Sequence, residues 1–306
     1  MSVSLAGLDL ANPIINGSGT FDAIAAHASF GDALCEVFPF AAYVSKTITL
    51  QPRAGNPPPR LFETAAGLIN SIGLPNKGLR GYLEHDLPQL ERICATARPA
   101  GARTAGVPLI TNVMGATAME LEQLVAACDQ QDAIAAVELN VSCPNVSTGL
   151  DIGADPEQLR EVVAAVRPAT RKPLIVKLTP NTADVPACAI AAQDGGADAV
   201  SLINTLRAAA LAPARAARSG ERWLGGGTGG LSGPAIRTVA LAQVAAVAER
   251  VAIPVIGIGG VQRASHARDL LDAGASVVAV GTESFRDPAT GSRIAAELMC
   301  VAETQM

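Results

Sequence analysis

Aromatic residues are scarce: one Trp, two Tyr and six Phe in 306 residues. Little of the interior can rest on large rings, and closely packed helices around a sheet are expected instead. Charge is also sparse. Charged residues make up 17% of the chain and hydrophobic ones 49%, which excludes global disorder. A positive excess is missing, because 23 Lys and Arg face 28 Asp and Glu for a net charge of -5. That argues against nucleic acid or an anionic membrane as partner. The cysteines Cys35, Cys94, Cys128, Cys143, Cys188 and Cys300 form no C-x-x-C pair and sit beside no His, which disfavours zinc ribbons, iron–sulfur cradles and thioredoxin-like sites. Scattered thiols fit a reducing cytoplasm. No apolar run approaches the ~18 residues a membrane span needs. The first Lys or Arg is Lys46, so no signal or transit peptide is expected.

Short β-rich runs, by contrast, are plentiful. They cover Pro13–Gly19, Ala41–Thr49, Pro108–Gly115, Ala136–Cys143, Pro173–Pro180, Ala199–Thr205, Pro254–Gly260 and Val277–Glu283. Each is apolar on both faces, as buried parallel strands are. Helical spacing fills Met119–Gln130, Pro156–Val166, Ala183–Gln193, Ala235–Arg250 and Ser265–Ala273. Asp155-Pro156 is a helix start, and Gly274 a helix stop. Strand–helix repeats of this number predict a single-domain (β/α)8 TIM barrel over 1–306, with an open doubly wound sheet as competitor. Gln51–Arg60 and Arg207–Gly230 read as long loops, which in a compact domain are usually functional.

Barrel chemistry sits at the C-terminal strand ends, and the polar residues fall there. Asn16, Ser18, Lys46, Thr47, Asn112, Asn140, Lys177, Asn204, Thr205 and Thr282 all lie at or just beyond a run. Glycines Gly259, Gly260 and Gly281 end runs seven and eight, where such barrels often bind phosphate on backbone N–H groups. The run Gly225–Gly230 matches G-x-G-x-x-G but follows an arginine-rich loop rather than a strand, so a dinucleotide fingerprint is rejected; Gly233 is a better candidate for close approach to a ligand. Cys143 follows Asn140-Val-Ser at a strand end and could serve as nucleophile or, ionised, as base. The other cysteines read as structural, and so does Glu138. His27, His85 and His266 lie away from the strand ends, which disfavours a histidine base. No carboxylate pair suits glycoside hydrolysis and no metal-ligand set is evident.

The segments Val44-Ser-Lys-Thr47, Pro52–Arg60, Asn70-Ser-Ile-Gly-Leu-Pro-Asn76, Glu138-Leu-Asn-Val-Ser-Cys-Pro-Asn145, Val176–Asn181, Ser201-Leu-Ile-Asn-Thr205 and Thr228–Pro234 resemble the dihydroorotate dehydrogenase family. The match runs in order from about Leu5 to Asp287. The resemblance implies FMN in the barrel mouth and oxidation of dihydroorotate to orotate in pyrimidine synthesis. It implies flavin contacts for Ser18, Lys46, Thr47, Asn112, Asn140, Lys177, Ile203, Gly233, Gly259, Gly260, Gly281 and Thr282. For substrate it implies Lys46, Asn70, Ser71, Ile72, Gly73, Leu74, Asn140, Asn204 and Thr205. Cys143 corresponds to the catalytic base, a mark of the soluble class. The wording of several motifs resembles the NAD-linked bacterial type, which pairs with a second subunit carrying FAD and a [2Fe–2S] cluster. A homodimer, or a heterotetramer with that subunit, is the implied assembly. The sequence departs from the family after Phe21, where glycines and an aromatic give way to Asp22-Ala-Ile-Ala-Ala, and in the less glycine-rich stretch after Asn145.

Two other functions share some of these features. A dihydropyrimidine dehydrogenase-like enzyme uses the same fold and flavin on an uncharged base, and the Pro-rich loop at Arg53–Arg60 favours dihydroorotate over it. A non-redox barrel lyase or aldolase would use Lys46 or Lys177 as Schiff-base nucleophile.

Overall fold

The computed structural model describes residues 2–141, 152–214 and 219–304. Eight parallel strands form its centre: β1 (Ile14–Asn16), β2 (Tyr43–Val44), β3 (Leu109–Val113), β4 (Ala136–Asn140), β5 (Leu174–Lys177), β6 (Ala199–Leu202), β7 (Val255–Ile258) and β8 (Val277–Val280). Every one falls inside an expected run. Their order is β1-β8-β7-β6-β5-β4-β3-β2, with helices between, so the chain folds as a (β/α)8 barrel. The open doubly wound alternative is ruled out by this order, in which the last strand pairs with the first.

The seam between β1 and β2 is closed by an unusual device. Ala41 N–H donates to the Ile14 carbonyl at 2.8 Å. One step further on, the Asn16 side chain stands in for a strand: Val44 N–H donates to its Oδ1 at 2.8 Å and its Nδ2 donates to the Val44 carbonyl at 2.7 Å. A carboxamide has the same donor and acceptor as a peptide, so it can continue a ladder that the short β2 cannot.

Side chains alternate across each strand. On β4, Val137 and Leu139 join the outer core beneath the helices, together with Leu124 and Val163. Ala136 faces inward, sharing the barrel interior with Ile15, Ile110, Ile175 and Ile256. Two leucines, Leu5 and Leu10, complete this inner layer. They come from an antiparallel hairpin, Val3–Leu5 with Leu8–Leu10, that the sequence reading did not anticipate. Its turn residues Ala6 and Gly7 both have positive φ, as a two-residue hairpin loop of the primed types needs.

The helices follow their local signals. Pro156–Val166 starts where expected, with the Asp155 carboxylate accepting from the N–H groups of Glu157 and Gln158. Gly274, at φ +101°, follows the helix Ala264–Asp272. Cys35, Cys94, Cys128 and Cys188 are buried as expected of structural thiols, whereas Cys300 is exposed on Thr290–Thr304. Burial pushes the Cys94 and Cys128 thiols up to about 12.

One expectation needs correction. Arg207–Gly230 is not wholly loop, because Leu206–Ala208 and Gly229–Ser232 are strands. They join the hairpin Leu61–Thr64/Gly67–Asn70 in a four-stranded antiparallel sheet. None of these segments is an apolar run, so hydrophobic patterning does not reveal them. What allows the pairing is the absence of side chains: a Cβ at Gly229 would lie 2.3 Å from the Asn70 carbonyl oxygen, and one at Gly230 would lie 1.9 Å from Thr205 Oγ1. The glycine run thus serves close packing within the added sheet, in keeping with the rejected dinucleotide reading.

Candidate active site

Following β4 and β5 upward, the barrel interior changes character within one step of the pleat. Ala136 and Ile175 belong to the apolar layer. Two residues on come Glu138 and Lys177, and then Asn140. All three are buried, at 3%, 7% and 6% exposure. Asn140 and Lys177 stand side by side across the ladder. Burying such groups is costly unless each is hydrogen-bonded, and here each finds a partner. Glu138 accepts from Asn112 Nδ2 at 2.5 Å and from Ser201 Oγ at 2.7 Å. Lys177 Nζ donates to Ser18 Oγ at 2.9 Å, which ties β5 to the loop after β1. Asn140 Nδ2 donates to Thr47 Oγ1 at 3.4 Å, reaching the end of β2. Asn112 Oδ1 is buried with no partner among the described residues.

The expected flavin residues therefore converge from several strand ends. Ser18 is joined to Lys177 and Thr47 to Asn140 by the hydrogen bonds above, while Asn112 is tied through Glu138 to Ser201. Ile203 is buried just beyond β6, its N–H donating to the Ile258 carbonyl at 2.9 Å. Lys46 is exposed, with its stem running past Gly19. Past β7, Gly259 and Gly260 adopt φ of +140° and +67°, where L side chains are strained. A Cβ at Gly260 would also lie 2.7 Å from the Arg237 Cβ, so this loop is fixed to bare backbone on both counts. Gly233, at φ +88°, packs against Gly67, and Thr282 Oγ1 donates to Ser232 Oγ at 2.8 Å. Gly281 directly precedes Thr282 at the end of β8.

The expected substrate residues line the added sheet and its neighbours. Asn70 sits on Gly67–Asn70, its Nδ2 donating to the Gly230 carbonyl at 3.3 Å. Ser71 Oγ accepts from Asn56 Nδ2 at 3.0 Å, and the Ile72 carbonyl accepts from Asn56 N–H at 3.0 Å. Gly73 and Leu74 both have positive φ, which turns the chain sharply there. Asn204 Oδ1 accepts from Thr205 N–H at 2.8 Å, and the Thr205 carbonyl accepts from Asn181 Nδ2 at 3.0 Å. Cys143 and Asn145 lie outside the described residues.

Two residues that build this site are not singled out by the sequence. Asn56 braces the Ser71 turn and Ser201 holds Glu138. Ser201 lies inside an apolar strand run, where a small hydroxyl leaves no mark on the pattern, and Asn56 stands in a Pro-rich loop with no periodicity to set it apart. Ser45, a polar residue at the end of the second run, accepts the Asn112 backbone N–H. A cavity of about 420 Å³ also opens beside Lys46, walled by Phe21, Ile24, Tyr43, Tyr82 and Lys77. No helix among the described residues is long and apolar enough to cross a membrane.

Comparison with known proteins adds the chemistry. A family model described as dihydroorotate dehydrogenase matches residues 1–301. The catalytic subunit of dihydroorotate dehydrogenase B (NAD(+)) of Citrifermentans bemidjiense is 43% identical over 299 residues, covering 97% of this chain and 92% of that protein. The subunit of the same name from Pelobacter propionicus is 43% identical over 296 residues, covering 96% and 91%. That of Desulforudis audaxviator is 42% identical over 301 residues, covering 97% and 91%.

Proposed function

The chain belongs to the dihydroorotate dehydrogenase family, and from that premise we propose how its barrel mouth performs the reaction. The protein is an oxidoreductase of pyrimidine biosynthesis that converts dihydroorotate to orotate. Our reading is that 1–306 forms one FMN-binding domain in which Cys143 is the base. The observation that supports the flavin site is the convergence, at the C-terminal strand ends, of the Lys177–Ser18 and Asn140–Thr47 pairs with the unfilled acceptor of Asn112; the role of Cys143 rests on its motif.

These residues fit a flavin mononucleotide. Asn112 Oδ1 is a buried acceptor in need of a donor. Lys177 has three N–H donors, of which one goes to Ser18. The positive-φ backbone at Gly259 and Gly260, with Gly233, Gly281 and Thr282 nearby, offers N–H groups suited to a phosphate. FMN, when bound, supplies an acceptor for the hydride leaving C6 of dihydroorotate. The protein's own task is to take the C5 proton and hold the substrate still. Cys143, three residues beyond Asn140 in sequence, accepts that proton as thiolate, and a free thiol has a pKa near 8.5. Lys46, exposed just beyond β2, provides a cation for the substrate carboxylate. Asn70, Asn140 and Asn204, with Thr205 and the turn Ser71–Leu74, offer both donors and acceptors to the pyrimidine ring.

The names of the relatives, each a catalytic subunit, support a partner subunit here too. We assign FAD and a [2Fe–2S] cluster to that partner, because no cysteine spacing in this chain suits a cluster. The assembly is then a homodimer of this chain within a heterotetramer, placed in the cytoplasm, where its scattered thiols stay reduced. The test is an absorbance spectrum and flavin identification on the purified chain, followed by anaerobic dihydroorotate. A yellow protein with noncovalent FMN that bleaches on dihydroorotate supports the reading. A colourless protein, or stoichiometric iron in this chain alone, overturns it.

A further inference from the structure

Glu138 is a buried carboxylate that no step above uses. Both its oxygens are engaged inside the barrel, Oε2 by Asn112 Nδ2 and Oε1 by Ser201 Oγ. The group thereby links β3, β4 and β6. An ionised carboxylate can only accept hydrogen bonds. The Asn112 carboxamide therefore has one admissible orientation, because turning it over would set Oδ1 against a carboxylate oxygen. The backbone of Asn112 is fixed as well, its N–H donating to Ser45 Oγ at 3.1 Å and its carbonyl accepting from Ile48 N–H at 3.0 Å. With Nδ2 committed to Glu138, Oδ1 is left as a fully buried acceptor with no partner among the described residues. A folded protein tolerates such an atom poorly unless a ligand fills it.

We infer that Glu138 is a positioning residue that locks Asn112 so that its Oδ1 is presented as acceptor to a ring N–H of the flavin. The inference rests on the FMN reading above. Oxidised isoalloxazine carries a single ring N–H, on the imide nitrogen N3, so an acceptor of fixed direction selects that edge of the ring. Glutamate does this better than its isostere. A glutamine both donates and accepts, and the Ser201 hydroxyl rotates to suit either end. With glutamine at 138, Asn112 is satisfied in both orientations, and the acceptor is no longer enforced.

The experiment titrates the full-length apoprotein with FMN and with N3-methyl-FMN, following flavin fluorescence, alongside thermal unfolding of each variant. Wild type should prefer FMN by about tenfold, the scale of one hydrogen bond. Asn112→Ala should bring the ratio close to one. Glu138→Gln should lower it to within about threefold of one with little change in Tm, an outcome that a purely structural role for Glu138 would not produce. Ser201→Ala leaves the carboxylate facing Asn112 and should keep the wild-type ratio, so the inference can be tested even if Glu138→Gln folds poorly. A wild-type ratio near one, a full ratio in Glu138→Gln or Asn112→Ala, or a lost ratio in Ser201→Ala would each overturn the inference. Failure of the wild-type apoprotein to bind either flavin would overturn the FMN reading itself, and is recognised separately by the absence of any quenching.

Discussion

The lower and upper halves of the barrel interior are built on the same strands, yet they solve opposite problems. Below, Ile110, Ala136, Ile175 and Ala199, plugged by Leu5 and Leu10 of the N-terminal hairpin, close the barrel with nothing to hydrogen-bond. Above, on the next inward position of the same strands, come Asn112, Glu138, Lys177 and Ser201. The lower layer contributes stability through apolar burial. The upper layer forgoes that gain, keeping polar groups at 7% exposure or less; in our reading Asn112 and Lys177 meet the flavin, while Glu138, held by Ser201, fixes the arrangement. One pleat, about 7 Å of strand, separates packing from chemistry. The comparison teaches that function here is added by changing every second residue near a strand's end, while the outward residues, such as Val137, Leu139, Leu174 and Val176, continue the outer core unchanged.

Substitutions in the two halves should therefore fail in different ways. The largest effect belongs to the mouth. Loss of a general base typically costs about 10²–10⁴-fold, so Cys143→Ala should slow dihydroorotate-driven bleaching of the flavin by that factor while FMN stays bound. Stopped-flow absorbance checks this, and a wild-type rate would show that another group takes the proton. In a Cys300→Ser background, which removes the exposed thiol, alkylation should act at the same place, because Cys94 and Cys128, with their thiols pushed up to about 12, stay protonated at neutral pH.

In the lower layer, Ile175→Ala removes a fully enclosed side chain. It should cost roughly 2–5 kcal/mol of stability, read by denaturant or thermal unfolding, with kcat/KM for dihydroorotate little changed once folded. Equal losses of activity and stability would blur the division. Lys46→Ala returns to the mouth. Lys46 is exposed, so its loss should leave Tm unchanged but remove a charge-assisted contact of about 1.5–3 kcal/mol, seen as a lower kcat/KM. An unchanged kcat/KM would refute its placement on the substrate carboxylate.

The smallest effect is on pH dependence, and it arises behind the glycine loop. His266 is buried, and its imidazole is held below the ordinary value of 6.5, first by burial and then by Arg237 and Arg263. Arg263 Nε donates to His266 Nε2 at 3.0 Å, which requires that nitrogen to be unprotonated. Between the folded and unfolded pKa values the unfolded chain binds more protons. Stability should thus fall as pH drops from 6.5 through the lower folded value, and level off beneath both. His266→Gln should flatten this part of the Tm–pH curve; an unaltered curve would mean that other groups dominate.

How much was legible follows from the same contrast. All eight barrel strands lie within apolar runs that the sequence displays openly, because burial on both faces leaves an uninterrupted signal. Lys177, Asn112 and Asn140 stand out as polar breaks at the ends of such runs. The Asn16 seam was not legible: an asparagine at a strand end gives no hint that it will act as a ladder rung. The added sheet was also hidden, since Leu61–Thr64, Gly67–Asn70 and Gly229–Ser232 are only partly buried and owe their pairing to missing side chains rather than to apolar ones. Glu138 was read as structural from its place in mid-strand. Only its bonds to Asn112 and Ser201 indicate that it orients a group facing the mouth.

The division of labour within a single strand is tested most directly on β5, where Ile175 and Lys177 are two residues apart. Lys177→Met keeps the volume while removing the buried charge and its bond to Ser18. The measurement is the FMN dissociation constant of this variant, set beside the Tm of its apoprotein. The account predicts weaker FMN binding by an order of magnitude or more, since hydrogen bonds to charged groups contribute about 1.5–3 kcal/mol, with an apoprotein Tm equal to or above that of wild type because a desolvated cation is gone. A variant that binds FMN as tightly as wild type but unfolds at lower temperature would place Lys177 in the packing and contradict the account.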